Sequence, residues 1–132
     1  MIRARKGVAA FARHEIDLLL LAGLDRHLRL WDIATGREVR QFDGLRGDVA
    51  GVTISPDGRR ALSGGVVDHY LRLWDLDTGR ELYHYDVPHV GLTRGTFTRD
   101  GRQAIWAAVD GALRVWDVPE RFTGNPGAGQ PP

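Results

Sequence analysis

The segment LRLWDLDTGREL, which runs from Leu71 to Leu82, decides the fold of this chain because close copies of it occur twice more. LRLWDIATGREV begins at Leu28, and LRVWDVP begins at Leu113. The tryptophans at the centre of the three copies are 43 and 42 residues apart: Trp31, Trp74 and Trp116. Self-similarity at a fixed period of this length is typical of an array of repeated supersecondary units.

Further residues keep the same register around the tryptophans. An aspartate lies six positions before each one: Asp25, Asp68 and Asp110. An arginine lies two positions before each one: Arg29, Arg72 and Arg114. SPDGR from Ser55 and TRDGR from Thr98 occupy matching places upstream, and Asp-Gly between two apolar runs is typical of a hairpin turn.

Each repeat is therefore predicted to form four short antiparallel strands. In the second repeat these cover about residues 49–54, 60–64, 70–76 and 81–85. The third strand alternates, which places Leu71 and Leu73 on one face and Arg72 and Trp74 on the other. If both faces are buried, the arginine stem packs while its guanidinium pairs with a carboxylate or reaches the rim. A row of ligand-binding arginines is the alternative.

Over residues 7–118 the sequence resembles the WD40-repeat family, whose repeats fold as blades of a β-propeller. The resemblance predicts an all-β fold of antiparallel four-stranded blades, a partial WD40-type propeller of about three blades. The expected organisation runs through five segments: a lead-in at 1–6, repeat one at 7–47, repeat two at 48–90, an incomplete repeat three at 91–118, and a Pro/Gly-rich flexible tail at 119–132.

The family's blades contain a buried polar network that joins the tryptophan, the turn aspartate, a Ser or Thr on the second strand and a His before the first. The resemblance carries this structural role to eight residues: Trp31, Trp74, Trp116, Asp25, Asp68, Asp110, Ser63 and His89. The match is incomplete, because Leu45 stands where the second repeat would carry its His. Leu20 and Trp106 replace the Ser in repeats one and three. We therefore predict blades that are less rigid than the family norm.

The third repeat is predicted to lack its outer strand. Apolar residues mark this strand eight and eleven positions after the tryptophan in the first two repeats, whereas Gly124 and Gly127 occupy those positions in the third. Phe11 already aligns with Ile54 of a first strand, so the chain start offers no replacement. Three blades do not close a ring, since propellers typically have about four to eight. The chain is expected to be a piece of a larger propeller, to self-associate, or to complete a ring with a partner.

Composition and motifs give no support for catalysis or for a bound cofactor. The chain has 132 residues, a net charge of +1 and no cysteine, so neither a nucleic-acid partner nor a disulfide framework is expected. The apolar patch at residues 8–12 is too short for a signal peptide, and the apolar run at residues 18–24 is too short to span a membrane, so we expect a soluble cytoplasmic protein. No metal-ligand spacing, nucleophile elbow or phosphate loop is present, so we expect no catalytic, metal or cofactor-binding residues.

The predicted function is a non-catalytic scaffold that binds protein or peptide partners, as the resemblance implies. Its candidate partner-binding rim comprises six residues of the turns and connections: Arg26, His27, Arg46, Asp48, His69 and Tyr70. Two alternatives remain open: a regulatory or sensor segment of a multidomain bacterial-type enzyme, and a truncated propeller fragment without function. A catalytic domain beyond the tail would favour the first alternative.

Overall fold

A computed structural model describes residues 8–14, 18–23, 27–43, 49–65, 70–87 and 90–119. These residues form three antiparallel sheets and no helix, which confirms the predicted all-β class. Each sheet is a simple up-and-down meander in chain order. Sheet 1 consists of β1 (Val8–His14), β2 (Leu18–Gly23), β3 (Leu28–Asp32) and β4 (Arg37–Phe42). Sheet 2 consists of β5 (Gly51–Ile54), β6 (Arg60–Gly64), β7 (Tyr70–Asp75) and β8 (Glu81–Asp86). Sheet 3 consists of β9 (Leu92–Phe97), β10 (Gln103–Ala108) and β11 (Leu113–Asp117).

Sheet 2 lies between the other two sheets. Its first strand, β5, contacts both β1 and β9, so the first strands of the three sheets are neighbours. The sequence predicts this strand at 49–54, whereas the ladder begins at Gly51. The predicted alternation of β7 is confirmed, because Leu71 and Leu73 pack towards sheet 3 while Trp74 packs towards sheet 1.

The interface between sheets 1 and 2 is an apolar layer. Phe42 at the end of β4 contacts the Trp74 ring, with 5.7 Å between the ring centroids. Around this pair lie buried aliphatic residues from both sheets: Leu20, Ala22, Leu28, Leu30, Val49, Val52, Ile54, Ala61 and Leu76. Burial of such side chains contributes roughly 25 cal/mol per Å² of apolar surface, so this layer stabilises the sheet pair.

The interface between sheets 2 and 3 repeats the same arrangement one blade further on. Tyr85, which aligns with Phe42, lies 6.2 Å from Trp116, which aligns with Trp74. The Tyr85 hydroxyl also donates a hydrogen bond of 2.7 Å to the backbone carbonyl of Asp117. Burial raises the pKa of this phenol, with a smaller contribution from neighbouring Tyr83, so Tyr85 stays protonated and remains a donor.

The turn between β5 and β6 is held by its own side chains. Ser55 Oγ donates to Asp57 Oδ1 at 2.6 Å, and the same carboxylate oxygen accepts the backbone N–H of Arg59 at 3.0 Å. Gly58 has φ of +75°, a conformation that glycine adopts without steric cost. The predicted role of the Asp-Gly pair as a turn former is confirmed here.

The turn between β9 and β10 has the same construction. Thr98 Oγ1 donates to Asp100 Oδ1 at 2.6 Å, and Asp100 accepts the backbone N–H of Arg102 at 3.0 Å. The Thr98 hydrogen bond is the main reason that the pKa of Asp100 lies below its usual value, and the Arg102 amide adds to it. The two repeats therefore share turn chemistry as well as strand order.

Candidate functional site

A buried side-chain hydrogen bond joins two members of the predicted blade network in sheet 2. Trp74 Nε1 donates to Ser63 Oγ at 3.0 Å, and both side chains are almost fully buried. Ser63 on β6 lies opposite Arg72 on β7, and Arg72 and Trp74 share one face of β7. The register of the ladder therefore places the Ser63 hydroxyl beside the Trp74 indole. The bond satisfies a donor that would otherwise be buried without a partner.

We expect Ser63→Ala to lower the free energy of unfolding by about 1–2 kcal/mol, because the Trp74 indole N–H loses its acceptor. Urea denaturation followed by far-UV circular dichroism measures the change. In a double-mutant cycle with Trp74→Phe, Ser63→Ala should lower the free energy of unfolding by much less, because the indole donor is already absent. Equal losses from Ser63→Ala in both backgrounds would show that the bond is not the source of the effect.

The remaining network residues lie in different surroundings. Trp31 Nε1 in sheet 1 is covered and has no hydrogen-bond partner among the described residues. The register places Leu21, and not Leu20 as the sequence alignment predicted, opposite Arg29 at the position that Ser63 occupies opposite Arg72, so an aliphatic side chain replaces the hydroxyl there. Asp110 accepts the backbone N–H of Ala112 and the guanidinium of Arg114, both at 3.0 Å, on the surface of sheet 3. Trp116 packs against the sheet 2–3 core. Asp25, Asp68 and His89 lie outside the described residues.

Sheet 3 has a different anchor, at a position where the sequence departs from the family pattern. Trp106 is completely buried between sheets 2 and 3. Three glycines make room for its ring: a Cβ on Gly51 or Gly64 would approach it to 2.9 or 3.0 Å, and a Cβ on Gly95 would overlap it. The indole Nε1 has no partner within the described ranges. The signal in the sequence was the combination of an unexpected tryptophan with glycines inside strands.

The arginine row pairs with carboxylates, which confirms the structural reading of these residues. Arg72 Nη1 lies 2.9 Å from Glu81 Oε1, and Arg29 Nε lies 3.1 Å from Glu38 Oε1. In both sheets the glutamate is the β4 or β8 residue opposite the tryptophan. Arg114 instead contacts Asp110 of its own hairpin.

Two residues of the predicted rim are described, and they occupy equivalent positions just before or at the start of the third strand. His27 Nδ1 lies 3.3 Å from Asp43 Oδ1 and 3.3 Å from Gln41 Nε2. Tyr70 packs against the His84 ring, with a centroid separation of 4.6 Å. The other four candidates, Arg26, Arg46, Asp48 and His69, lie outside the described residues. The rim as a binding surface therefore stays a prediction.

Sheets 1 and 3 each have a face that no other described sheet covers. The open face of sheet 3 carries Ile105, Ala107, Leu113 and Val115, which alternate with the residues packed on sheet 2. Leu113 is 72% exposed and Val115 is 53% exposed. The open face of sheet 1 carries Leu19, Leu21 and Trp31, all half-buried. Contiguous apolar surface of this kind is typical of an interaction site.

The described residues show neither a metal-binding cluster nor a helix able to cross a membrane. No group of three or more His, Asp or Glu side chains converges within the six ranges given above. The same ranges contain no long apolar helix of membrane-spanning length.

Face-to-face packing of consecutive antiparallel meanders of four, four and three strands, with neighbouring first strands, defines this class of structure as a partial β-propeller. Residues 36–75 match the family model of the WD domain, G-beta repeat. That span includes β4, the turn between β5 and β6, and sheet 2 as far as the end of β7. WD40 repeats generally serve as non-catalytic scaffolds for protein–protein interaction. No curated protein matches the chain.

Proposed function

We propose that this chain is a protein-interaction scaffold whose three blades form part of a larger propeller, completed by further blades on the two open faces. The observation that carries the proposal is the contrast between the sheets. Sheet 2 is covered on both faces, and its strands β5 and β6 are almost entirely buried. Sheets 1 and 3 each expose apolar residues at the places where sheet 2 meets a neighbour.

The two open faces are equivalent to the two packed faces of sheet 2, which supports a ring in which each blade meets the next one in the same orientation. The face with Trp31 corresponds to the face of sheet 2 that carries Trp74 and packs on sheet 1. The face with Leu113 and Val115 corresponds to the face of sheet 2 with Leu71 and Leu73, which packs on sheet 3. The open face at one end of the array therefore matches the open face at the other end in the same way that consecutive sheets match, as heterologous ring closure requires.

We expect the purified chain to associate through these faces, and Val115→Asp to abolish that association because it places a charge in an apolar contact. Light scattering behind a sizing column should give a multiple of 14.7 kDa for the original chain and 14.7 kDa for the variant. If the missing blades belong to a longer polypeptide, the chain is instead a monomer that binds a hydrophobic dye. In that case Val115→Asp reduces the dye signal.

Val109→Asp is the matched control. Val109 is 57% exposed, but it lies in the turn between β10 and β11 and outside the strands of the open face. It should leave mass and dye binding unchanged. A stable monomer that binds no dye, or equal effects of the two substitutions, would contradict the proposal.

A further inference from the structure

The outer edge of β11 is unpaired within the part of the chain that the structure describes. Sheets 1 and 2 have β4 and β8 on this side of their third strands, whereas sheet 3 ends at β11. An edge strand presents a row of free backbone N–H and C=O groups that can pair with another extended segment. The two complete sheets therefore show which kind of strand fits this edge.

The β4 and β8 strands share a pattern on both of their faces. Each places a glutamate opposite the tryptophan, in the pairs Trp31–Glu38 and Trp74–Glu81. Each places an aromatic residue four positions later, opposite the first leucine of the third strand. The segments read EVRQF and ELYHY. The common requirement is a glutamate, an aliphatic residue, two variable residues and an aromatic residue.

Arg114 of β11 lacks the glutamate that its counterparts contact. In sheet 1 the equivalent Arg29 uses its Nε to bind Glu38 Oε1 at 3.1 Å. Arg114 Nε is buried and has no hydrogen-bond partner among the described residues, although its Nη2 contacts Asp110. A covered guanidinium N–H without an acceptor is unfavourable, and a carboxylate opposite Trp116 would satisfy it.

Leu113 marks the position of the aromatic residue. The equivalent leucines of sheets 1 and 2, Leu28 and Leu71, are each 0% exposed and lie opposite Phe42 and Tyr85. Leu113 is 72% exposed, because sheet 3 has neither a fourth strand nor a following sheet among the described residues. An aromatic ring from an added strand would cover this side chain.

The chain's own sequence does not supply these groups at the matching positions. Thr123 stands seven residues after Trp116, where Glu38 and Glu81 follow their tryptophans. Gly127 stands where Phe42 and Tyr85 occur. The lead-in before β1, MIRARKG, contains neither a glutamate nor an aromatic residue. The groups that this edge requires are therefore those of a partner polypeptide.

We propose that the β11 edge binds an extended peptide segment of the pattern Glu-aliphatic-x-x-aromatic by antiparallel strand addition. The glutamate accepts the Arg114 Nε–H beside Trp116, and the aromatic ring covers Leu113. This deepens the proposed scaffold function by naming the chemistry of a partner, and it rests on that function for its biological meaning.

The probe is a fluorescein-labelled peptide with the sequence of residues 79–87, GRELYHYDV, added to the full chain and followed by fluorescence anisotropy. We expect saturable binding. Peptides in which the glutamate is replaced by lysine, or the second tyrosine by serine, should each bind at least about tenfold more weakly, the effect of losing one charge-assisted bond or one buried ring.

A charge reversal tests the assigned contact directly. Arg114→Glu should weaken binding of the glutamate peptide and improve binding of the lysine peptide. Arg94→Glu is the control, because Arg94 is an exposed arginine on β9 of the same sheet, away from the β11 edge. It should leave both affinities unchanged. Far-UV circular dichroism verifies that each variant keeps its strands.

Absence of binding to the folded chain, or binding that ignores the glutamate and the charge reversal, would overturn the proposal. These results leave the scaffold function intact if Val115→Asp still changes mass or dye binding while Val109→Asp does not. If neither peptide binding nor the Val115 effect occurs, both proposals fail.

Discussion

Trp106→Ala is expected to lower the free energy of unfolding by about 3–5 kcal/mol, the usual cost of removing a buried tryptophan. The ring is completely buried between sheets 2 and 3 and fills a groove lined by Gly51, Gly64 and Gly95. Gly95→Ala should be severe for the opposite reason, since its methyl group overlaps the ring and the backbone must move. Chemical denaturation followed by far-UV circular dichroism measures both changes.

The prediction is specific because the effect of Gly95→Ala depends on whether the Trp106 ring is present. In a Trp106→Ala background the added methyl of Gly95→Ala meets no ring, so the second substitution should cost much less than it does alone. Thr96→Ala, at the neighbouring position of β9, should change stability by no more than about 0.5 kcal/mol. Additive losses for Gly95→Ala and Trp106→Ala would show that the two residues do not share this groove.

Arg72→Met should destabilise the protein by about 3 kcal/mol, because it leaves the Glu81 carboxylate without its main cation. The Arg72 side chain is 6% exposed and the Glu81 side chain 24% exposed, so water relieves the loss only in part. Arg72 also contacts Tyr70, with its Cζ 5.1 Å from the ring centroid. Denaturation at neutral pH measures the loss, and Arg72→Met with Glu81→Leu should recover most of it.

Sheet 1 provides the matched control for that substitution. Arg29 and Glu38 form the same pair at 3.1 Å, but their side chains are 18% and 39% exposed. In the Val115→Asp background, where the open faces stay unoccupied, Arg29→Met should therefore cost less than about 1 kcal/mol, as for a solvated ion pair. Equal losses at Arg29 and Arg72 would mean that burial by the neighbouring sheet does not govern the strength of these pairs.

Much of the fold follows from local patterns that do not depend on distant contacts. The repeat period around Trp31, Trp74 and Trp116 predicts a series of similar units, and alternation in LRLWD predicts a strand with two different faces. Asp57-Gly58 predicts a tight turn, because its side chain and its glycine conformation are both local properties. These predictions are confirmed by the three sheets and their turns.

The network residues show where sequence reasoning was insufficient. The family resemblance assigned the same network role to Trp31 and Trp74, yet the Trp74 indole donates to Ser63 while Trp31 Nε1 has no hydrogen-bond partner among the described residues. Only Trp74 and Ser63 form the expected kind of buried contact in the described part of the chain. A shared position in the repeat does not guarantee shared partners, because the partners come from neighbouring strands and sheets that differ between repeats.

The repeat period, the strand order within a repeat and the two faces of the LRLWD strand can be read along the chain, whereas the alignment of Leu20 with Ser63 was wrong by one residue and therefore by one face. Those features arise from spacing, periodicity and turn chemistry over a few neighbouring residues. Packing between the sheets was needed to establish that Trp106 fills a groove made by three glycines, that Arg72 is more deeply buried than Arg29, and that Leu113 faces an open edge. Burial is set by what packs on a surface, and residues far apart in the chain provide that packing.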